Sequence, residues 1–288
     1  MSIANECMIV NLQIGVWEGK RLDKEASRDV TNRAGAEEDA ARVNKHLIPK
    51  DKLKAVTKAQ GALRLHFYDR TVPWKDNGDR LLTRKLYLKF IEEHEKLMND
   101  FRDAVEEFIT KIYPACRDQA EFRMGSLFRH EDYPPAESLR YRFYANMQVD
   151  VVTTGKDFRL DMDEKHVASI RKDMERELGE RSKAATMHVY KRVLDELTHY
   201  HEVTSDPEKV FRNSTVEKLE DLIDILPGLN IADDPDLNAV IDQMKDTLSG
   251  RSPDDLRNNS AERSAAAKAT EEVLDVMKGF MNTMKAAA

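Results

Sequence analysis

The sequence predicts a mainly α protein with a small antiparallel β element, built on an elongated core of long helices. The first observation is an apolar stripe in residues 81–112 with members three or four residues apart and one gap of seven, namely Leu82, Leu86, Phe90, Leu97, Phe101, Val105, Phe108 and Ile112. This spacing is typical of one face of a long amphipathic helix. The second observation is strict alternation of apolar and polar residues in 8–17 and again in 143–151, which indicates two half-buried strands.

The first half of the chain is expected to bring those two strands together, because an isolated strand is unstable. The segments between them are predicted to be helical, over residues 37–47, 50–67, 81–112 and 115–128. Pro114 should end the long helix, since a proline disfavours helical geometry in the residue before it. Residues 157–160 are predicted to form a short returning strand after a turn at Thr154 and Gly155.

After Glu164 the expected structure is a series of helices. Residues 164–200 show helical periodicity, with Gly179 as a candidate break. Start and stop signals are a capping box at Ser214 and Glu217, a stop at Pro227-Gly228, and Ser252-Pro253 at a helix start. A last helix is expected over 261–285. The polar stretch 204–213 predicts a boundary between a core, 1–203, and an acidic helical C-terminal region, 204–288.

The composition places limits on the class of protein. The 288 residues are 41% hydrophobic and 34% charged, which is typical of a folded, soluble, helix-rich chain. No run of about 18 apolar residues is present, and no basic segment precedes the apolar N-terminal part, so neither a membrane partner nor a signal peptide is expected. Cys7 and Cys116 lie far apart in the sequence and do not form a metal-binding pair. We therefore expect two separate thiols in a reducing compartment. The predicted location is the cytoplasm, or the host-cell cytoplasm for a phage protein.

The negative charge is concentrated in one segment. Residues 201–250 hold 4 basic and 12 acidic residues, a charge of −8, whereas the whole chain carries −7. The rest of the protein is therefore close to neutral and need not repel nucleic acid. The acidic segment 201–250 is expected either to compete with nucleic acid for a basic face or to recruit a partner.

No catalytic residue, metal ligand or cofactor is predicted, and the protein is not expected to be an enzyme. The histidines and their acidic neighbours, namely His94, His130, Glu131, Asp132, His199 and His201, lack the spacing of a helical zinc site. Gly15 and Gly19 flank Trp17 without the spacing of a phosphate-binding loop. The carboxylates of 161–164 are explained by their position at a helix N-terminus.

Two tracts interleave basic and aromatic residues, a pattern that suits single-stranded nucleic acid. The predicted contact residues are Arg64, Tyr68, Arg70, Trp74 and Lys75 in the first tract, and Arg123, Arg129, Arg140, Arg142 and Tyr144 in the second. Cations of this kind neutralise phosphates while aromatic rings stack on bases. The alternative is that the aromatic residues are core and the arginines form a solvated face.

Short landmarks fall in order along residues 8–175: VWEGK (16–20), HLIPKDKL (46–53), TVPW (71–74), GSLF (125–128), DYP (132–134), RF (142–143) and DFR (157–159). In these the chain resembles a phage and bacterial family of unknown function, whose genes lie beside those of MoxR-type AAA ATPases. The resemblance does not cover the residues beyond about 200. It implies an AAA ATPase as a candidate partner and no catalytic residues.

Two functions are therefore expected as alternatives. The first is a non-enzymatic phage protein that binds single-stranded DNA and oligomerises on it during replication or recombination. The second is an adaptor or structural partner of an AAA ATPase or of another protein assembly. A homo-oligomer is expected in either case, because the stripe in 81–112 is longer than a monomer should need to cover.

Overall fold

The computed structural model describes residues 3–158 and 163–286, and within them the chain is mainly α with a small antiparallel β element, as predicted. The helices are α1 (Ile3–Glu6), α2 (Lys24–Ala34), α3 (Lys54–Asp69), α4 (Arg84–Glu107), α5 (Tyr113–Asp118), α6 (Ala120–Met124), α7 (Ala136–Arg140), α8 (Glu164–Ser205), α9 (Asn213–Leu229), α10 (Pro235–Leu248), α11 (Pro253–Asn258) and α12 (Ser260–Ala286). The strands are β1 (Cys7–Gly15), β2 (Lys20–Asp23), β3 (Val43–His46), β4 (Val72–Pro73), β5 (Arg80–Thr83) and β6 (Tyr144–Val151). No helix in these ranges has the length and apolar character needed to cross a membrane.

The residues group into two compact units. The first unit comprises Met1–Asn11, Asp69–Phe90 and Val149–Ala288, and the second unit comprises Leu12–Tyr68 and Ile91–Gln148. The boundary predicted at residue 204 lies inside the first unit. The division into a core, 1–203, and an acidic helical C-terminal region, 204–288, stays a prediction.

The larger sheet has the strand order β4-β5-β1-β6, so the two strands predicted from alternation are neighbours. β1 also pairs antiparallel with β5, with Cys7 opposite Thr83. The prediction of a helix from residue 81 was wrong at its start, because residues 80–83 form β5 between β1 and β4 and α4 begins only at Arg84. Hydrogen bonds from two neighbouring strands outweigh the local helical pattern there.

The helix predicted over 37–47 is also wrong. Val43–His46 form β3, which pairs antiparallel with β2. The sequence prediction missed α2, although both of its ends carry capping residues. Asp23 Oδ1 accepts a hydrogen bond from the Ala26 N–H at 3.0 Å, and Gly35 ends the helix with φ 62°. A left-handed residue of this kind after a helix is favourable for glycine.

The long helix does not end at Pro114, in contrast to the prediction. A π-helical turn, Phe108–Ile112, follows α4 and leads directly into α5, with the Tyr113 N–H donating to the Phe108 carbonyl. A proline ring clashes with the carbonyl four residues earlier in a regular α-helix. The wider turn relieves that clash, which allows the helical path to continue.

The apolar stripe of residues 81–112 is largely covered within the chain. Phe90, Phe101 and Phe108 are buried, while Leu97 and Ile112 are half-buried. An uncovered stripe was the reason to expect a homo-oligomer. Because the stripe is not exposed, it no longer supports that expectation, and a homo-oligomer stays a prediction without an assigned surface.

The first unit has its main core around α8, along which α12 packs. Val189, Val193 and Leu197 on α8 are buried, and the helix passes through Gly179 without a break. Of the predicted strand over 157–160, the part at 159–160 lies outside the described residues. Gly155–Asp157 form a 3₁₀ turn instead of a strand.

Two of the predicted helix signals in the tail are correct and two are not. Ser252 accepts a hydrogen bond from the Asp255 N–H, with Pro253 at the first helical position, and α12 has nearly the predicted bounds. In contrast, α9 begins at Asn213 without a side-chain cap, and it continues through Pro227 to Leu229.

Candidate nucleic-acid interface

A groove of about 570 Å³ opens on the second unit between α3 and the segment that joins β1 to β2. One wall is a face of α3 carrying Thr57, Gln60 and Arg64, which share that face because they are spaced by three and four residues. The facing wall consists of residues 14–18. The two sides of the groove are thus α3 and the end of β1 with the segment that follows it.

The floor of the groove is apolar and well packed. Trp17 and Ile48 reach it from below and are 6% and 2% exposed. The Trp17 ring meets Tyr113 edge-on with a centroid distance of 5.6 Å. Gly19 has φ 64°, and a Cβ at that position would overlap the Ile48 side chain. Glycine is therefore required at position 19, where the segment between β1 and β2 passes close to Ile48.

The charged side chains that line the groove are mostly basic. Lys20, Lys50 and Arg64 carry positive charge, against the single carboxylate of Glu18. Glu18 pairs with Lys20 at 2.9 Å and is largely exposed, so water screens this pair. His46 also lines the groove, and its position in β3 is opposite Lys20 in β2. An anion entering the groove meets a net positive field.

Arg64, from the first tract, lines the groove, and Tyr144, from the second tract, lies beside it against the lining residue Gly15. Arg64 Nη2 donates to the Ile14 carbonyl at 3.4 Å. Tyr144 begins β6 and its ring lies against Gly15, where a Cβ would overlap the ring. The ring is about half exposed, at 49%. The structure therefore places an exposed aromatic ring and a guanidinium beside the same segment of β1.

The other arginines of the second tract differ in their contacts. Arg123 donates to the His46 carbonyl, which places its guanidinium beside the groove lining. Arg142 is exposed. Arg129 pairs with Glu25 at 3.2 Å. Arg140 forms a two-point ion pair with Glu106, and this hydrogen bonding lowers the pKa of the Glu106 carboxyl. For Arg129 and Arg140, these carboxylates compete with a phosphate.

The first predicted tract is divided between the two units. Tyr68 belongs to the second unit, is about half exposed and meets Phe67 edge-on. Arg70, Trp74 and Lys75 belong to the first unit. Trp74 is buried, so its ring is not presented for base stacking, and Lys75 pairs with Asp79 at 3.5 Å. These residues do not line the groove.

A buried ion network supports the β2–β3 side of the second unit, and the sequence prediction missed it. Lys45, at 6% exposure, pairs with Asp132 and with Asp23 at 3.1 Å. Arg21 Nε lies 2.9 Å from the other oxygen of Asp132. Lys45 also donates to the Leu127 carbonyl at 3.2 Å. Asp23 was recognisable in the sequence as a helix-capping residue, but nothing local marked Lys45 as buried.

The histidines considered as metal ligands lie in separate surroundings. His94 is buried with its ring 6.0 Å from that of His66, and burial lowers the pKa of His94. The Nδ1 atom of His201 is 3.1 Å from the Ala267 carbonyl oxygen. Across residues 3–158 and 163–286, no three His, Cys, Asp or Glu side chains are grouped to hold a metal ion.

Four of the landmark segments contribute to the core of the second unit. Trp17, Leu47, Tyr133 and Phe143 belong to one buried cluster. The Tyr133 hydroxyl donates to the Leu47 carbonyl at 3.1 Å, which ties the DYP segment to the HLIP segment. Comparisons of the chain with protein-family models, with curated proteins and with solved structures found no match, so membership of the phage and bacterial family stays a prediction.

Proposed function

We propose that the protein binds single-stranded nucleic acid through the groove of the second unit and that it acts without catalysing a reaction. The observation that supports this most is that Arg64 lines a groove with mostly basic charged residues, while the exposed Tyr144 ring lies beside it against Gly15. Backbone neutralisation by cations combined with stacking on exposed rings is how sequence-tolerant single-strand binding proteins work.

The proposed path of the strand follows α3. The path begins at Lys50, in the 3₁₀ turn before α3, and ends at Arg64. At about 1.5 Å per helical residue these two residues are roughly 20 Å apart. Phosphates along this path meet Lys50, Lys20 and Arg64 in turn. A base leaving the groove beside Gly15 reaches the exposed face of Tyr144. Bases of a duplex are already stacked and paired, so single strands are the expected ligand.

Arg64→Ala and Tyr144→Ala are expected to weaken binding in distinguishable ways. Loss of a phosphate contact should reduce the slope of log K against log salt by about 0.7 for a single strand. Loss of a stacking ring should cost about 1–3 kcal/mol, with the slope unchanged. Arg142→Ala should also reduce the slope. Fluorescence anisotropy with a labelled oligonucleotide at several salt concentrations measures both quantities.

The matched control is Arg102→Ala. Arg102 is an exposed arginine of the same unit, bonded to Asn99 at 3.1 Å, and it lies outside the groove. The control should bind like the parent protein. If Arg64→Ala and Tyr144→Ala both fold and bind as tightly as the control, the groove is not the binding surface.

The acidic segment 201–250 is proposed to compete with the ligand. Deletion of residues 205–288 is not a suitable test, because it would uncover the buried α8 residues against which α12 packs. Amide substitution of the carboxylates Glu217, Asp221 and Asp242 should keep the fold, because these side chains are exposed. Tighter oligonucleotide binding at low salt is expected, since a competing anionic surface is weakened. Equal affinity contradicts the competition.

The adaptor function is favoured by a different observation. Phe122 and Tyr141 in the second unit are 97% and 85% exposed, and large exposed aromatic side chains are common in protein interfaces. An AAA ATPase is the partner that the family resemblance implies. A salt-dependent gel shift separates the two functions, because only the nucleic-acid function predicts complexes that weaken steeply as salt rises.

A further inference from the structure

We propose that the groove of the second unit is a site for one nucleoside phosphate, with a base against the apolar floor and a terminal phosphate among Lys20, His46 and Lys50. This inference rests on the proposed function and names the unit that the groove recognises. A free nucleotide and the phosphorylated end of a strand present the same chemistry. Titration with both kinds of probe distinguishes these two sources.

The size and lining of the groove suit a small ligand better than a continuous strand alone. Its volume of about 570 Å³ falls within the roughly 300–1,000 Å³ of small-molecule sites. Trp17, Ile48 and Leu53 are at most 6% exposed, so a base rests against their exposed edges and does not stack on the face of the Trp17 ring. Thr57 and Gln60 add a small number of polar groups along the wall, the arrangement typical of ligand pockets.

The cationic end is built by strand pairing and is not a chance collection of surface charges. Lys20 and His46 are cross-strand partners, so their side chains emerge on the same side of the two-stranded sheet. The His46 carbonyl accepts a hydrogen bond from Arg123, which adds a second permanent positive charge nearby. Lys50 enters the groove from the 3₁₀ turn that begins there.

A terminal phosphate gains more from this end than an internal one does. A phosphate monoester carries about −1.5 to −2 charges at pH 7, whereas an internal diester carries one. Coulombic attraction grows with that charge. Glu18 is the only carboxylate in the groove lining, and it already pairs with Lys20. A monoester should therefore outcompete a diester for Lys20 and Lys50.

The groove can also hold the terminal nucleotide of a strand, because Arg64 and Tyr144 lie near the end of the groove away from Lys50. Arg64 and the Tyr144 ring lie beside Ile14 and Gly15, away from Lys50 along α3. When the terminal nucleotide occupies the floor, the next base can stack on Tyr144. A free nucleotide lacks that second contact and depends on the floor and the cationic end alone.

The test is a titration of the full chain with defined probes. The probes are adenosine 5′-monophosphate, adenosine, inorganic phosphate, and a ten-nucleotide deoxyadenosine strand with and without a 5′-phosphate. Calorimetry gives each affinity, and Trp17 emission in a Trp74→Phe background reports on the floor, because the chain has only 2 tryptophans. We expect adenosine 5′-monophosphate to bind at least about tenfold tighter than adenosine or inorganic phosphate. The 5′-phosphate should tighten strand binding by a similar factor.

Lys50→Ala is the deciding variant, and Lys52→Ala is its control. Lys50 is exposed and lines the groove, whereas Lys52 is exposed, does not line it and pairs with Asp51 at 3.8 Å. Lys50→Ala should weaken adenosine 5′-monophosphate about tenfold and remove the advantage of the phosphorylated strand. Lys52→Ala should change neither.

Each outcome has a defined meaning. Binding of both strands with equal affinity, without binding of adenosine 5′-monophosphate, overturns this inference and leaves the proposed function intact. Binding of inorganic phosphate as tightly as the nucleotide also overturns the inference alone, because the base then contributes nothing. Binding of the nucleotide without either strand supports the inference, with a free nucleotide as its source, and overturns the proposed function. Failure of every probe overturns both.

Discussion

Lys45→Met is expected to lower the free energy of unfolding of the second unit by about 3–5 kcal/mol. Lys45 is buried between the carboxylates of Asp23 and Asp132, and its side chain contributes the positive charge that compensates them inside the fold. A methionine fills the same space but removes the buried ammonium from both carboxylates, so that Asp132 keeps only the partly exposed Arg21 as a charged partner. The cost therefore comes from lost compensation of buried charge and not from lost packing.

The pH dependence of stability should change in the same variant. Burial acts to lower the pKa of Lys45, but hydrogen bonds and charges from Asp132 and Asp23 outweigh it, so the pKa is raised. The pKa of Asp23 is lowered mainly by the hydrogen bond from the Ala26 N–H and, to a smaller extent, by Lys45. Because its pKa is lowered in the folded state, Asp23 contributes to the free energy of unfolding above about pH 3.9, and this contribution is lost as the pH falls further. The Lys45 contribution is present below about pH 10.4 and is lost as pH rises through the raised pKa, so Lys45→Met should lack this alkaline loss.

The measurement is urea unfolding followed by Trp17 emission in the Trp74→Phe background, which reports on the second unit alone. Asp132→Asn combined with Lys45→Met should cost less than the sum of the single changes, because the two side chains interact directly. Lys52→Met, at an exposed ion pair, should cost under about 1 kcal/mol. A loss for Lys45→Met no larger than for this control would contradict a stabilising role for the network.

Phe108→Ala is expected to destabilise the second unit by about 3–5 kcal/mol. Phe108 is fully buried, with its ring centroid 5.6 Å from Phe143, 6.1 Å from Tyr113 and 6.4 Å from Trp17. Truncation removes these aromatic contacts and opens a cavity that such rigid rings fill poorly. The floor of the groove rests on Trp17, so binding of nucleic acid should weaken as well.

Phe122→Ala is the matched control for this prediction. Phe122 is 97% exposed, and its truncation should change the unfolding free energy by less than about 0.5 kcal/mol. Both variants are compared by urea unfolding with Trp17 emission. A cost below about 1 kcal/mol for Phe108→Ala would show that the aromatic cluster does not hold the second unit together.

Some parts of the fold were predictable because their signals are local. The strands β1 and β6 follow from alternation, α8 follows from helical periodicity, and α12 follows from its alanine-rich sequence. The capped start of α11 follows from a serine and a proline in the right order. Where the prediction failed, the sequence around β3 and β5 resembles a helix, and only pairing with a neighbouring strand makes it extended.

Some parts of the candidate site were also visible in the sequence. Arg64, Arg123 and Tyr144 were identified by their residue type, as cations and aromatics interleaved in two tracts. Residue type did not distinguish them from Trp74, which is buried, or from Arg140, which forms an ion pair with Glu106. Lys20 and Lys50 were overlooked as binding residues, because no aromatic tract surrounds them.

By itself the sequence determined that the protein is mainly helical, that a β element joins residues far apart, and that acidic charge is concentrated in 201–250. These properties depend on periodicity, capping and composition, which neighbouring residues fix. Contacts between distant segments bring Tyr144 beside the groove that Arg64 lines, bury Lys45 between two carboxylates and cover the stripe of residues 81–112. The physical reason is that burial and ion pairing depend on which segments meet in space, and residues distant in the chain carry no local mark of their partners.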